Sequence, residues 1–91
     1  METFRFAFFV MSSDYDPDKQ HAHFETPGCE SLLYGVRDLD QACQLAARLA
    51  QEGTIRRIEL CGAFGPQGAA AVERAGQGRL SVGYVTDWKG E

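Results

Sequence analysis

The sequence predicts one small α/β domain, with strands and helices in the order β-β-α-β-α-β. Two observations carry this. Strand patterns alternate with helix patterns that have their own start and stop signals, which argues for parallel strands joined by right-handed helical crossovers. The first strand is apolar on both faces, as in a strand at the centre of a sheet. The expected architecture is a mainly parallel four-stranded sheet, suggested order 2-1-3-4, with two helices on one face. At 91 residues the chain has room for one core, so residues 1–91 read as a single domain.

The first strand runs over Thr3–Met11. One of its faces shows Phe4, Phe6, Phe8 and Val10, and the other shows Arg5, Ala7, Phe9 and Met11. The segment Ser12–Gly28, "SSDYDPDKQHAHFETPG", contains two prolines and both histidines and reads as a long loop. A second strand, Cys29–Val36, leads into the most clearly written element, a helix within Arg37–Gly53. Asp38 can cap its start, Gln41 stands where a capping-box partner would, and Gly53 offers a left-handed stop. Leu39, Ala42, Cys43, Ala46, Leu49 and Ala50 form its apolar stripe. A third strand, Ile55–Cys61, precedes a glycine-rich turn and a second helix over Pro66–Ala75. Pro66 suits the first helical position, where its missing N–H would have no partner anyway, and Gly76 and Gly78 end the run. The last strand is Arg79–Thr86.

Face by face, Phe4, Phe6, Phe8 and Val10 are expected to join Leu32, Tyr34, Val36, Ile58, Leu60, Leu80, Val82 and Tyr84 in the helix-covered core. The opposite face would combine Arg5, Ala7, Phe9, Met11, Ser31, Leu33, Arg57, Glu59, Cys61, Ser81 and Val85. Two helices cannot cover both faces, and large apolar patches on soluble proteins usually mark contacts. A homodimer through this second face is therefore expected.

Nine Lys plus Arg against thirteen Asp plus Glu give a net charge of -4, the wrong balance for a nucleic-acid partner. No apolar run approaches the ~20 residues of a membrane span, and the N-terminus carries Arg5 within its apolar stretch, unlike a secretory leader. Three cysteines without a disulfide framework fit a reducing compartment, so the expected location is cytoplasmic.

Candidate chemistry centres on "IELCGAFGPQG", Ile58–Gly68. Ligands of parallel α/β sheets sit beyond the carboxyl ends of the strands, and free N–H groups at a helix start favour an anion. The spacing is neither a Walker loop nor a dinucleotide fingerprint, which leaves a small carboxylate or phosphate, and no cofactor is indicated. Gly62, Ala63, Phe64 and Gly65 would contact this ligand, with His21 or His23 closing the site and Glu59 beside it. Alternatively, these glycines only turn the chain.

Cys61, next to the same helix start, is the candidate nucleophile or redox thiol of an alternative enzyme reading, because a helix N-terminus favours thiolate. Against it stands the frequency of buried, inert cysteines. Glu59 points to the same face as Cys61, and an ion pair with Arg57 or Arg5 would account for it. His21, His23 and Cys29 are weak metal-ligand candidates, lacking the paired units of closed zinc sites, and no metal is called. Asp14, Asp16 and Asp18 alternate like a calcium loop but lack its glycine and terminal glutamate.

The segments "DYDPDKQ" (Asp14–Gln20), "GVRDLDQA" (Gly35–Ala42) and above all "ELCGAFG" (Glu59–Gly65) resemble a family of small bacterial and archaeal proteins of unknown function. The resemblance covers nearly the whole chain. It implies one small α/β domain and transfers no catalytic residue. The expected function is binding of a small anionic metabolite at the turn 62–68, the alternatives being the Cys61 enzyme and a structural homodimer without a ligand.

Overall fold

The computed structural model describes residues 2–90. In chain order it contains β1 (Phe4–Met11), β2 (His21–Glu25), β3 (Cys29–Val36), α1 (Leu39–Glu52), β4 (Arg57–Leu60), a 3-10 turn (Gly62–Phe64), α2 (Gly65–Ala75) and β5 (Ser81–Tyr84). The sheet order is β2-β3-β1-β4-β5. β1 runs parallel to β3 and β4, β4 runs parallel to β5, and β2 is antiparallel to β3. The expected four-stranded sheet is thus corrected to a mixed five-stranded one by an additional edge strand inside the segment expected to be a loop.

That strand forms because Pro27 and Gly28 make a tight turn. Thr26 and Cys29 exchange backbone hydrogen bonds of 2.8 and 3.3 Å, folding His21–Glu25 back onto β3. The preceding residues are also ordered by hydrogen bonds. Gln20 Oε1 accepts from the Asp16 N–H at 2.8 Å, and Asp16 Oδ1 accepts from the Asp18 N–H at 2.9 Å.

Connection handedness explains why one face of the sheet stays bare. From β3 through α1 to β4, and from β4 through α2 to β5, the chain advances in one direction across the sheet. Right-handed crossovers put both helices on the same side. Only the step from β1 to β3 runs the other way, and a helix there would cover the opposite face. The chain places β2 there instead.

α1 follows its sequence signals closely. Asp38 Oδ1 accepts from the Gln41 N–H at 2.9 Å, and Gln41 Oε1 accepts from the Arg37 N–H at 2.6 Å. Gly53 stops the helix at φ 78° and donates its N–H to the Leu49 carbonyl. Ala42, Leu45, Ala46, Leu49 and Ala50 are buried, whereas Leu39 at the entry is exposed.

The main core corrects the face assignment of β1. Ala7 and Phe9 are fully buried beneath the helices with Val36, Ile58, Leu60 and Val72. Register shows why: Ala7 lies beside Leu32 and Ile58, and Phe9 beside Tyr34 and Leu60. Side-by-side residues share a face. Phe4, Phe6, Phe8 and Val10 therefore point to the uncovered side, one residue out of phase with the expected core. Phe9 also meets Tyr34 edge-on, with ring centroids 6.0 Å apart.

Candidate functional site

The open face of the sheet is the most distinctive surface of the molecule. β1 supplies Phe4, Phe6, Phe8 and Val10, β3 supplies Ser31, Leu33 and Gly35, and β2 supplies Ala22 and Phe24. Phe4 and Phe6 stack with centroids 5.4 Å apart. Phe4 is 57%, Phe24 74% and Leu33 41% exposed, a concentration of large apolar side chains that water does not favour. A shallow trough of 280 Å³ runs over this half of the face, lined by Phe6, Phe8, Val10, Ala22, Phe24 and Leu33 among others.

At the carboxyl end of β3 the trough adjoins a second hollow of 200 Å³, bordered by Tyr15, Gln20 and Gly35. Here Gly35 is needed for close approach. A Cβ on it would lie 2.8 Å from Tyr15 Cδ2 and 3.0 Å from Gln20 Cβ, because the loop before β2 rests directly on the strand. Gly35→Ala is expected to push Tyr15 off the sheet and lower stability by about 1–3 kcal/mol, as overpacking does. A urea midpoint equal to wild type would contradict this packing.

The other half of the face is polar but paired. Arg57 Nε donates to Glu59 Oε2 at 2.9 Å, and both side chains remain one-third exposed, 34% each. The pair lies across Gly83 of β5, where any Cβ would collide with the Arg57 guanidinium. Glu59 thus has an ion-pair partner, and its polar row on β4 is what identifies the open side.

The residues assigned to the glycine turn separate in the fold. Cys61 follows the last residue of β4 with its N–H on the Phe9 carbonyl at 3.0 Å, and the Phe64 N–H returns to the Cys61 carbonyl at 3.1 Å. Gly65 takes φ 64°, a conformation suited to glycine, and Pro66 follows in the first turn of α2. Gly62 and Ala63 are exposed. Phe64, expected to wall a pocket, is instead buried at 6% exposure and packs on Gly68, where an added Cβ would lie 3.1 Å from Phe64 Cβ. No side chain caps the start of α2.

The histidines are not brought to that turn. β2 lies three strand spacings from β4, roughly 14 Å across the sheet. His21 Nδ1 donates to the Pro17 carbonyl at 3.1 Å. His23 Nε2 lies 2.7 Å from Glu30 Oε2, and Arg5 Nε donates to Glu30 Oε1 at 3.0 Å. A carboxylate only accepts, so the His23 proton sits on Nε2.

Of the weak metal candidates, His23 lies near Glu25 and Glu30, with one ligand atom from each all within 4.8 Å of one another. His21 and Cys29 are outside this group. All three members are solvent-accessible, and Arg5 already holds one Glu30 oxygen. Arg5, Glu30 and His23 form a clasp that ties the edge strand to β3 and β1.

Cys43 sits half-buried on α1. Burial is the main cause that pushes its thiol above the ordinary value, with the Asp40 carboxylate adding to this and Arg74 opposing it. Its alkylation rate is expected to rise with pH at a higher midpoint than that of an unstructured cysteine. The sign for stability follows: above the ordinary thiol value the unfolded chain ionises first, so this group removes stability as pH rises. A midpoint at or below that of a free thiol would contradict the environment described.

Fold and surface together define a class: small α/β proteins in which both helices cover one face of a mixed sheet and an aromatic face is left open. The chain belongs to a family of unknown function, DUF6506, whose model matches residues 4–89. No curated protein and no solved structure matches the chain. Among the described residues, no helix is long and apolar enough to cross a membrane.

Proposed function

We propose that this chain works as a homodimeric module in which two copies pair through their open sheet faces. One observation carries the reading: Phe4, Phe6, Phe8, Leu33 and Phe24 gather on a face that neither helix covers. Its extent suits the role. Five strands at ~4.8 Å and six residue steps at ~3.3 Å give about 24 by 20 Å, or roughly 480 Å² in plan, about three-fifths of the ~800 Å² per partner of a standard interface before the relief of the projecting side chains is added. The expected partner surface is thus the aromatic face rather than the mixed set containing Ala7 and Phe9.

A soluble paramagnetic agent tests this by broadening NMR signals of side chains open to water. The Phe6, Phe8 and Leu33 signals are expected to be protected in concentrated solution and to broaden on dilution. Equal broadening at all concentrations contradicts the proposal.

The uncapped start of α2 favours a second, compatible reading, a small anion at the turn 62–68. Titration with inorganic phosphate and with acetate is expected to shift the amide signals of Gly62, Ala63 and Gly65 saturably, and no saturable shift refutes it. The Cys61 enzyme reading needs a histidine beside the thiol, and His21 and His23 stand on the far edge strand.

A further inference from the structure

We infer that the two open faces meet with their strands antiparallel, so that Arg57 of each copy faces Glu59 of the partner subunit. This inference rests on the homodimer reading and adds its register and its source of specificity.

Two rows of side chains cross the open face. One row runs Phe24, Ser31, Phe6, Arg57, Ser81, and the next runs Ala22, Leu33, Phe8, Glu59, Gly83. A closed dimer joins the same patch on both copies through a two-fold axis. For facing sheets that axis lies between them, either across the strands or along them.

An axis across the strands, passing between the rows, sets each row over the partner's other row. Phe6 then meets Phe8 of the partner subunit, Arg57 meets Glu59 of the partner subunit, and bulky side chains meet small ones at Phe24 over Ala22 and at Leu33 over Ser31. The existing Arg57–Glu59 pair becomes a ring of alternating charges, each carboxylate gaining a second cation. With the axis along β1, Glu59 instead falls over the partner's Leu33 and Arg57 over the partner's Ser31. Two charges are then desolvated without a new partner. Charge complementarity selects the antiparallel register, allowing for the ~30° twist between packed sheets.

The test is partner choice. In the double variant R57E/E59R the charge ring is preserved within its own homodimer, but against wild type it sets arginine over arginine and glutamate over glutamate. Like charges facing across an interface are strongly excluded. When wild type and a mass-tagged R57E/E59R chain are mixed and allowed to exchange, native mass spectrometry should show both homodimers. The heterodimer should fall at least about five-fold below the statistical half. A statistical heterodimer fraction overturns the antiparallel register while leaving the dimer standing. A monomeric wild type overturns the homodimer reading itself.

Should the swapped chain fail to fold or pair, the wild-type protein still decides. In a mixture of valine-methyl-labelled and unlabelled chains, isotope-filtered NOEs are expected from the Val10 methyls to Phe4 of the partner subunit. Contacts from Val10 to the partner's Val10 would instead refute the register.

Discussion

Phe8→Asp gives a folded chain that no longer pairs. Phe8 points to the open face, beside Leu33 on β3 and Glu59 on β4, so the helix-covered core does not depend on it. In the proposed dimer it lies at the centre of the interface, where buried aromatic side chains dominate association energy. Each dimer contains two copies of the site. At ~2 kcal/mol or more per truncated anchor, the loss is about 4 kcal/mol, or roughly a thousand-fold in the dissociation constant. The introduced carboxylates raise the cost further by resisting desolvation. The measurement is sedimentation velocity across a dilution series together with circular dichroism. A variant that unfolds, or one that pairs as tightly as wild type, contradicts the assignment of Phe8.

One residue along the strand the outcome reverses. Phe9→Ala acts on folding, because Phe9 is fully buried between Tyr34 and Leu60 and beneath the helices. Phe→Ala changes in cores cost about 3–5 kcal/mol through lost burial and the cavity left behind. For a domain this small that is a large share of a total near 5–15 kcal/mol. Urea unfolding should show a large drop in midpoint. A Phe9→Ala chain as stable as wild type would mean that the faces of β1 are the other way round.

This contrast also shows what the sequence made legible. α1 could be read almost residue by residue, because Asp38, Gln41 and Gly53 mark its ends and its alanines and leucines keep helical spacing. The faces of β1 could not be read from β1 alone. Phenylalanine occurs on both of them, so period-two alternation carries little information there. The deciding information lay in β4, where Ile58 and Leu60 alternate with Arg57 and Glu59, and it became usable only once the register with β1 was known.

β2 was hidden for a different reason. Every residue of "HAHFE" is exposed, so no buried face marks it as a strand, although the Pro27–Gly28 turn before β3 was a local signal for a hairpin. Its edge position then separated His21 and His23 from the glycine turn. The turn itself was legible as a strand end, a Gly65 bend and a proline-started helix. The inward direction of Phe64 was not, because it depends on Gly68 one helical turn later leaving space for the ring.

The central claim is that the aromatic face is covered in solution by a second copy. Light scattering on the native chain at micromolar concentration tests it most directly. The account predicts a particle of twice the 10.0 kDa chain mass, reduced to a single chain by Phe8→Asp. A wild-type particle of one chain mass at that concentration would contradict it.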